Sequence, residues 1–234
     1  MIPTWIQKIL QQGIFFTSSA YAIYMIVFNF QMVYIIWFLI GMLLVAGIVS
    51  AYYHRFVTHY SWECPKWAEV MFLILGGLFA FTQVLSWAAT HNKHHRYVDT
   101  ERDPHGPHKG LLNNLLIAYY DFNLAHANKT NLRNPMYQLQ MKYYFALALI
   151  GFVIMSILFG PISWCIINAY GFLGQASVNY LGHKDGKAIS RPYLAWLLAG
   201  ETYHDHHHEH PRDPQFGKWD LGGLIVKILN KNDN

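Results

Sequence analysis

Charge is scarce in this sequence. Only 13% of its 234 residues are Asp, Glu, Lys or Arg, about half the roughly 25% of an average soluble domain. Positions 9 to 54, 46 residues, contain none of the four, and neither do positions 143 to 183, 41 residues. Cysteine is almost missing as well. Cys64 and Cys165 lack CxxC spacing and sit in dissimilar contexts, which excludes a disulfide-stapled secreted domain and argues against a redox pair. No Lys/Arg run forms a nucleic-acid footprint, and the net charge is only +4. No repeat at a solenoid period is present. With 53% hydrophobic residues, disorder and collagen-like structure are excluded too. A single domain, 1–234, is expected, with no room for a fused electron-transfer module.

The uncharged stretches have membrane dimensions. At about 1.5 Å per residue, the first would extend about 69 Å as helix, enough to cross a ~30 Å hydrocarbon core twice. Asn29 and Gln31 break it, so two spans are expected, about 14–30 and 33–53. No small-residue cleavage site follows a single short apolar core, so a cleaved signal peptide is not expected. The second stretch breaks at Gly160-Pro161 and predicts spans of about 143–159 and 162–182. All but two of the 17 basic residues lie in 55–133 or 184–231, the exceptions being Lys8 and Lys142. By the positive-inside bias, segments 54–142 and 183–234 and both termini are expected to be cytoplasmic. The expected fold is all-α and integral to the membrane: four transmembrane helices in two hairpins under a cytoplasmic, histidine-rich helical cap.

A third uncharged stretch, 70–92, is long enough to span. It is flanked by His54 and His59 on one side and by His91, His94 and His95 on the other. Crossing would place those histidines in opposite compartments. An interfacial or protein-buried segment is therefore expected.

Histidine is what the sequence has in excess: 14, beside 17 Lys and Arg. In a chain this poor in charge, that points to metal. Four groups stand out: His54/His59, His91/His94/His95, Asn179/His183 and His204/His207/His208. On an α-helix, positions i, i+3 and i+4 share a face, so each triplet presents three imidazoles in one direction. Residues five apart do not, so the helix should end or distort between His54 and His59. Nine imidazoles exceed the about four that a tetrahedral ion takes, which makes two metals the economical count. A nitrogen-rich shell suits Fe, Cu, Ni or Zn and does not choose among them. His105, His108 and His126 have loop-like spacing and are expected on the surface or behind the ligands. His206 and His210 lie off the ligand face. Asp99, Asp103, Glu201 and Asp205 are candidates to accept the second ring N–H of ligating histidines.

These motifs resemble the membrane-bound fatty acid desaturases of the acyl-CoA and delta-9 acyl-lipid type. The order Hx4H, HxxHH, NxxxH and GExxHxxHHxxP is the family's. The last element reads Gly200-Glu-Thr-Tyr-His204-Asp-His-His-His208-Glu-His-Pro211. The second box continues from His95 to Asp103-Pro104-His105, similar to the family's DPH continuation. The resemblance covers about residues 14–230. It implies two Fe ions held by His54, His59, His91, His94, His95, His183, His204, His207 and His208, with Asn179 reaching the metal through a water. It further implies O2, a long saturated acyl substrate and a separate electron donor, a ferredoxin or a cytochrome b5-like protein. An unactivated C–H bond has no acidic proton, so a metal–oxygen oxidant, not side-chain acid–base chemistry, must attack it. Trp62, Phe79, Phe81 and Trp87 are expected to line an apolar substrate tunnel.

The sequence departs from the pattern in places. Ala89-Thr90 stands where acyl-CoA members carry Arg-Asp, removing a contributor to CoA recognition. Acyl-lipid and acyl-carrier-protein substrates therefore stay open beside acyl-CoA. Leu111-Leu-Asn-Asn114 lacks the usual Ser-His, and Asp205 replaces Asn. The rival readings are a histidine-box lipid or alkane hydroxylase and a non-enzymatic metal or haem scaffold.

Overall fold

The computed structural model describes residues 2–116 and 123–230. Six positions of the expected cytoplasmic segment 54–142 and the last four of 183–234 lie outside the described residues. Helix α1 runs Thr4–Phe28. Helix α2 starts at Val33, is regular to Leu44, and continues as a π-helix over Val45–Thr58. Then come α3 (Lys66–Leu78), α4 (Val84–Tyr97) and the short α5 (Gly110–Leu116) and α6 (Lys129–Arg133). The long α7 (Pro135–Phe159) and α8 (Pro161–Leu181) follow. A small antiparallel pair, β1 (His183–Lys184) with β2 (Lys187–Ala188), interrupts the otherwise helical chain. Two short helices, α9 (His204–Glu209) and α10 (Leu221–Leu229), close it. The fold is therefore mostly helical rather than purely so. Cys64 and Cys165 form no disulfide.

Local chemistry explains the α7–α8 boundaries. Asn134 accepts the Met136 N–H at 3.0 Å and caps α7, with Pro135 in the first helical position. Gly160 ends it with a φ of 82°, a conformation that favours glycine, and Pro161 opens α8.

By length and composition, Val33–Thr58 and Pro135–Phe159 can cross a membrane. On α7, Leu149, Val153, Ile154, Ile157 and Leu158 all stand exposed, unlike the surface of a water-soluble bundle. Helices α1 and α8 have 25 and 21 residues but bury polar side chains: Gln11, Ser18 and Ser19 on α1, Ser163 and Asn168 on α8. Helix α8 is central, with α1, α2 and α7 all packed on it. Each expected span overlaps one of these helices. However, α1 and α7 begin well before 14 and 143, and α2 runs beyond 53 to Thr58.

Side chains of α2, α7 and α8 serve a break in the chain between them. Stretch 70–92 is not one helix: it breaks between α3 and α4, where Ala80 and Thr82 take φ of 54° and 82°. Such a break buries backbone groups away from water, and each must find a partner. Trp164 Nε1 donates to Leu78 O at 2.8 Å, and Asn168 Nδ2 to Phe79 O at 2.9 Å. Thr82 N–H donates to the Tyr144 hydroxyl at 3.0 Å, and Tyr53 Oη to Thr82 O at 3.2 Å. Val84 N–H reaches Gln140 Oε1 at 3.2 Å. The segment thus turns back inside the protein, and the ends of α2 and α4 meet.

Candidate metal centre

The nine box histidines come together in two groups. One holds His54, His59, His91, His95 and His207; the other holds His94, His183, His204 and His208. The π-helical half of α2 explains the first pair. Its hydrogen bonds close over five residues, as in His59 N–H to His54 O at 3.1 Å. That brings His54 and His59 to one side, the distortion their spacing demands. The triplets behave less simply. Helix α4 sends His91 and His95 to the first group and His94 to the second. Helix α9 sends His207 to the first and His204 and His208 to the second.

Within each group the Nε2 atoms face one another. His54–His207 are 3.1 Å apart, His95–His207 2.8 Å, His91–His95 3.0 Å and His59–His91 3.1 Å. In the second group His183–His204 are 2.9 Å apart, His204–His208 3.1 Å and His94–His208 3.3 Å. Two nitrogens each about 2.1 Å from one ion at right angles lie about 3 Å apart. Hydrogen bonding does not account for this convergence. An Nε2 is either one donor or one acceptor, yet His207 and His95 each meet two others. The residues therefore fit a metal in each group.

Carboxylates set the tautomers. His54 Nδ1 lies 2.7 Å from Glu201 Oε2, His94 Nδ1 2.9 Å from Asp103 Oδ1 and His183 Nδ1 2.9 Å from Asp99 Oδ2. With the proton on Nδ1, each Nε2 presents a lone pair to its group. Three of the four expected acceptors thus do reach a ring. The exception is Asp205, which bonds Ser190 Oγ and the His206 N–H instead.

Burial favours the neutral form of seven of the nine rings. Burial, helped by neighbouring imidazoles, pushes His59 down to about 2 and His208 to about 3. It holds His91, His95, His204 and His207 well below their ordinary value and lowers His183. Neutral imidazole is the ligating form. Burial alone would raise Asp103 and Glu201. The bond with His94 outweighs it for Asp103, and His54, Arg55 and Ser50 outweigh it for Glu201, so both carboxyls sit low.

A buried ionic cluster backs the first group, and sequence reasoning missed it. Arg55 is fully buried and donates to both Asp220 oxygens at 3.0 Å and to Ser50 Oγ at 2.7 Å. Its guanidinium carbon lies 4.0 Å from the centre of the Phe216 ring. Ser50 Oγ in turn donates to Glu201. Gly222 permits this approach of α10, since a Cβ there would meet Arg55 Nη1 at 2.0 Å. The available signal was a charged residue directly after His54 inside an otherwise apolar helix.

A cavity partly open to the outside has His54, His91 and His204 in its lining. Val45, Val49, Tyr170 and Leu198 form apolar wall. Trp87 lines it, stacked on His91 at 4.9 Å and held by Nε1 donation to Gln175 Oε1 at 2.7 Å. Asn179 is on the same wall. Trp62, Phe79 and Phe81 are elsewhere. Trp62 packs with Ala51 and Val226, while Phe79 and Phe81 pack in the helical core. His105 is buried rather than on the surface: it stacks on His94 at 4.5 Å and reaches the cavity. His108 and His210 are exposed, His126 sits beside Tyr97, and His206 bonds Asp213 at 3.0 Å.

Known proteins are similar to this chain in sequence. The "sn-1 stearoyl-lipid 9-desaturase" of Anabaena variabilis is 28% identical over 76% of this chain and 73% of its own length. "Delta-9 acyl-lipid desaturase 1" of Arabidopsis thaliana is 25% identical over 77% and 67% respectively. "Acyl-CoA 5-desaturase AL21" of Anemone leveillei is 25% identical over 82% and 68%. The profile of the fatty acid desaturase family matches residues 30–216. The chain therefore belongs to the fatty acid desaturase family and is an oxidoreductase.

Proposed function

We propose that this chain places a cis double bond at the delta-9 position of a long saturated acyl chain carried on a membrane lipid. The observation that carries the reading is the meeting of nine imidazoles in two groups, three of them, His54, His91 and His204, in the lining of a partly apolar cavity. In this reading one Fe ion is held by His54, His59, His91, His95 and His207, and a second by His94, His183, His204 and His208, with Asn179 reaching the second through a water. Bound iron supplies, with O2 and two electrons from a separate ferredoxin or cytochrome b5-like donor, the oxidising power that removes two hydrogens from adjacent methylenes.

The chain's own residues do the rest. Glu201, Asp99 and Asp103 fix the orientation of His54, His183 and His94. Val45, Val49 and Leu198 exclude water from the cavity and accept hydrocarbon. Trp87 holds its wall rigid through Gln175 and covers His91. The acyl-lipid choice is supported by the names of two relatives and by Ala89-Thr90 in place of Arg-Asp.

The same reading makes the chain a single multi-pass membrane domain, with α1, α2, α7 and α8 as four spans in two hairpins. Both termini and the histidine layer then face the cytoplasm. The buried break between α3 and α4 supports this, since it returns the chain to the side it left.

The test is expression in a desaturase-deficient host, with mass-spectrometric location of any new double bond. A delta-9 alkene in membrane lipid is the expected product. Hydroxylated lipid without alkene would transfer the reading to a histidine-box hydroxylase.

A further inference from the structure

The two histidine groups are surrounded by unequal charge. Around the four-histidine group, two rings end on carboxylates, His94 on Asp103 and His183 on Asp99, each at 2.9 Å. Asp103 is fully buried, and further accepts the backbone N–H groups of Asp99 at 2.9 Å and His105 at 3.1 Å. Among the described residues, neither carboxylate pairs with a Lys or Arg.

The five-histidine group differs. Among the described residues, only His54 ends on a carboxylate, Glu201. That carboxylate is shared, because Ser50 donates to it and the Arg55 guanidinium lies 3.5 Å away. Arg55 is itself paired with Asp220. Glu201, Arg55 and Asp220 together carry one net negative charge, against two for Asp99 and Asp103.

An imidazole whose N–H is held by a carboxylate is a stronger donor through its other nitrogen. Negative charge and donor strength near a metal favour its more oxidised state and lower its reduction potential. Burial keeps the effect from being screened.

We propose that Asp99 and Asp103 are positioning residues that make the four-histidine group the first of the two metal positions to be oxidised, while Arg55 keeps Glu201 from doing the same for the five-histidine group. This rests on the reading that both groups hold iron. It assigns unequal roles to two groups whose ligand atoms are all alike.

The test is a redox titration of the full chain loaded with iron, followed by electron paramagnetic resonance, with iron content measured on the same samples. Two separate one-electron steps are expected. Asp99→Asn should move the lower step to more positive potential and leave the upper in place. Glu201→Gln should move only the upper. Asp103→Asn should act as Asp99→Asn does. Since Asp103 also holds two backbone N–H groups, Asp99→Asn is the variant that decides. A single two-electron step would overturn the inference. So would two steps that shift together, or a lower step unmoved by Asp99→Asn while two irons stay bound. A merely structural role would lower iron content without moving either potential, which overturns it as well. Failure of the unaltered chain to bind iron would overturn the proposed function itself, and this inference with it.

Discussion

His207 and His208 are neighbours on α9, yet their rings serve different groups: His207 Nε2 lies 2.8 Å from His95 Nε2, and His208 Nε2 lies 3.3 Å from His94 Nε2. The partners repeat the division, since His94 and His95 are neighbours on α4. Two adjacent pairs on two short helices thus form the seam between the groups.

That division predicts metal content. His207→Ala should leave the four-histidine group filled, and His208→Ala the five-histidine group, so each purified variant should hold about one iron where the unaltered chain holds two. Both should express and both should lose desaturation. Elemental analysis beside lipid analysis checks this. A His207→Ala protein with two irons and full activity would remove His207 from the site.

Glu201→Gln should loosen only the five-histidine group. Loss of a partner behind a ligating imidazole typically weakens metal binding about 10- to 100-fold. Chelator competition should show one of two irons withdrawn at lower chelator concentration than before. Equal loosening of both would contradict the separation of the groups.

Arg55→Met should destabilise the chain by about 3–5 kcal/mol, because it leaves the carboxylate of Asp220 buried without its cation. Arg55 and Asp220 both lie within a few per cent of full burial. Unfolding in detergent measures the loss. The double variant Arg55→Met with Asp220→Asn should recover part of it, and a double variant no better than the single would show the pair is uncoupled.

Asn168→Leu should cost about 3 kcal/mol. It strips the Phe79 carbonyl of its donor at 2.9 Å and leaves the Ser18 hydroxyl only its longer bond to Phe15 O at 3.2 Å, and an unpaired buried polar group costs about 1–3 kcal/mol. A loss below about 1 kcal/mol would mean the break between α3 and α4 is not held from α8.

Metal-free protein should lose stability as pH falls. Above about pH 7.5 His59, His91, His95, His183, His204, His207 and His208 are neutral in both folded and unfolded chains, so their contribution is level. Below their unfolded value of about 6.5 the unfolded chain takes up protons. The folded one does not, since its His59 titrates only at about 2 and its His208 at about 3. The melting temperature should therefore fall steadily from pH 7.5 to 5. A flat profile over that range would show that the rings are not held neutral by the fold.

Several features were legible in the residues because they depend on composition or on short spacings. A deficit of charge over long stretches requires an apolar surrounding, and the helices follow from it. The i, i+3, i+4 spacing required three imidazoles on one face, and the five-residue spacing of His54 and His59 required a distorted helix, which the π-helical half of α2 supplies. The parity of histidines around 70–92 required that stretch to return.

Other features depend on residues far apart in sequence, and no local pattern encodes them. Trp62, Phe79 and Phe81 do not line the cavity that Trp87 lines, and an aromatic ring has no local signal that separates cavity wall from packed core. The Arg55–Asp220 pair joins residues 165 positions apart, and Asp220 read locally is only a helix cap. Nothing in the boxes shows that each triplet divides between two groups.

By itself the sequence determined how much of the chain is apolar, where helices break and which imidazoles share a face, because those follow from a residue's own chemistry and its near neighbours. Only the tertiary structure decided which ring faces which, since a metal group closes by distances of about 3 Å between helices that the chain must first bring together.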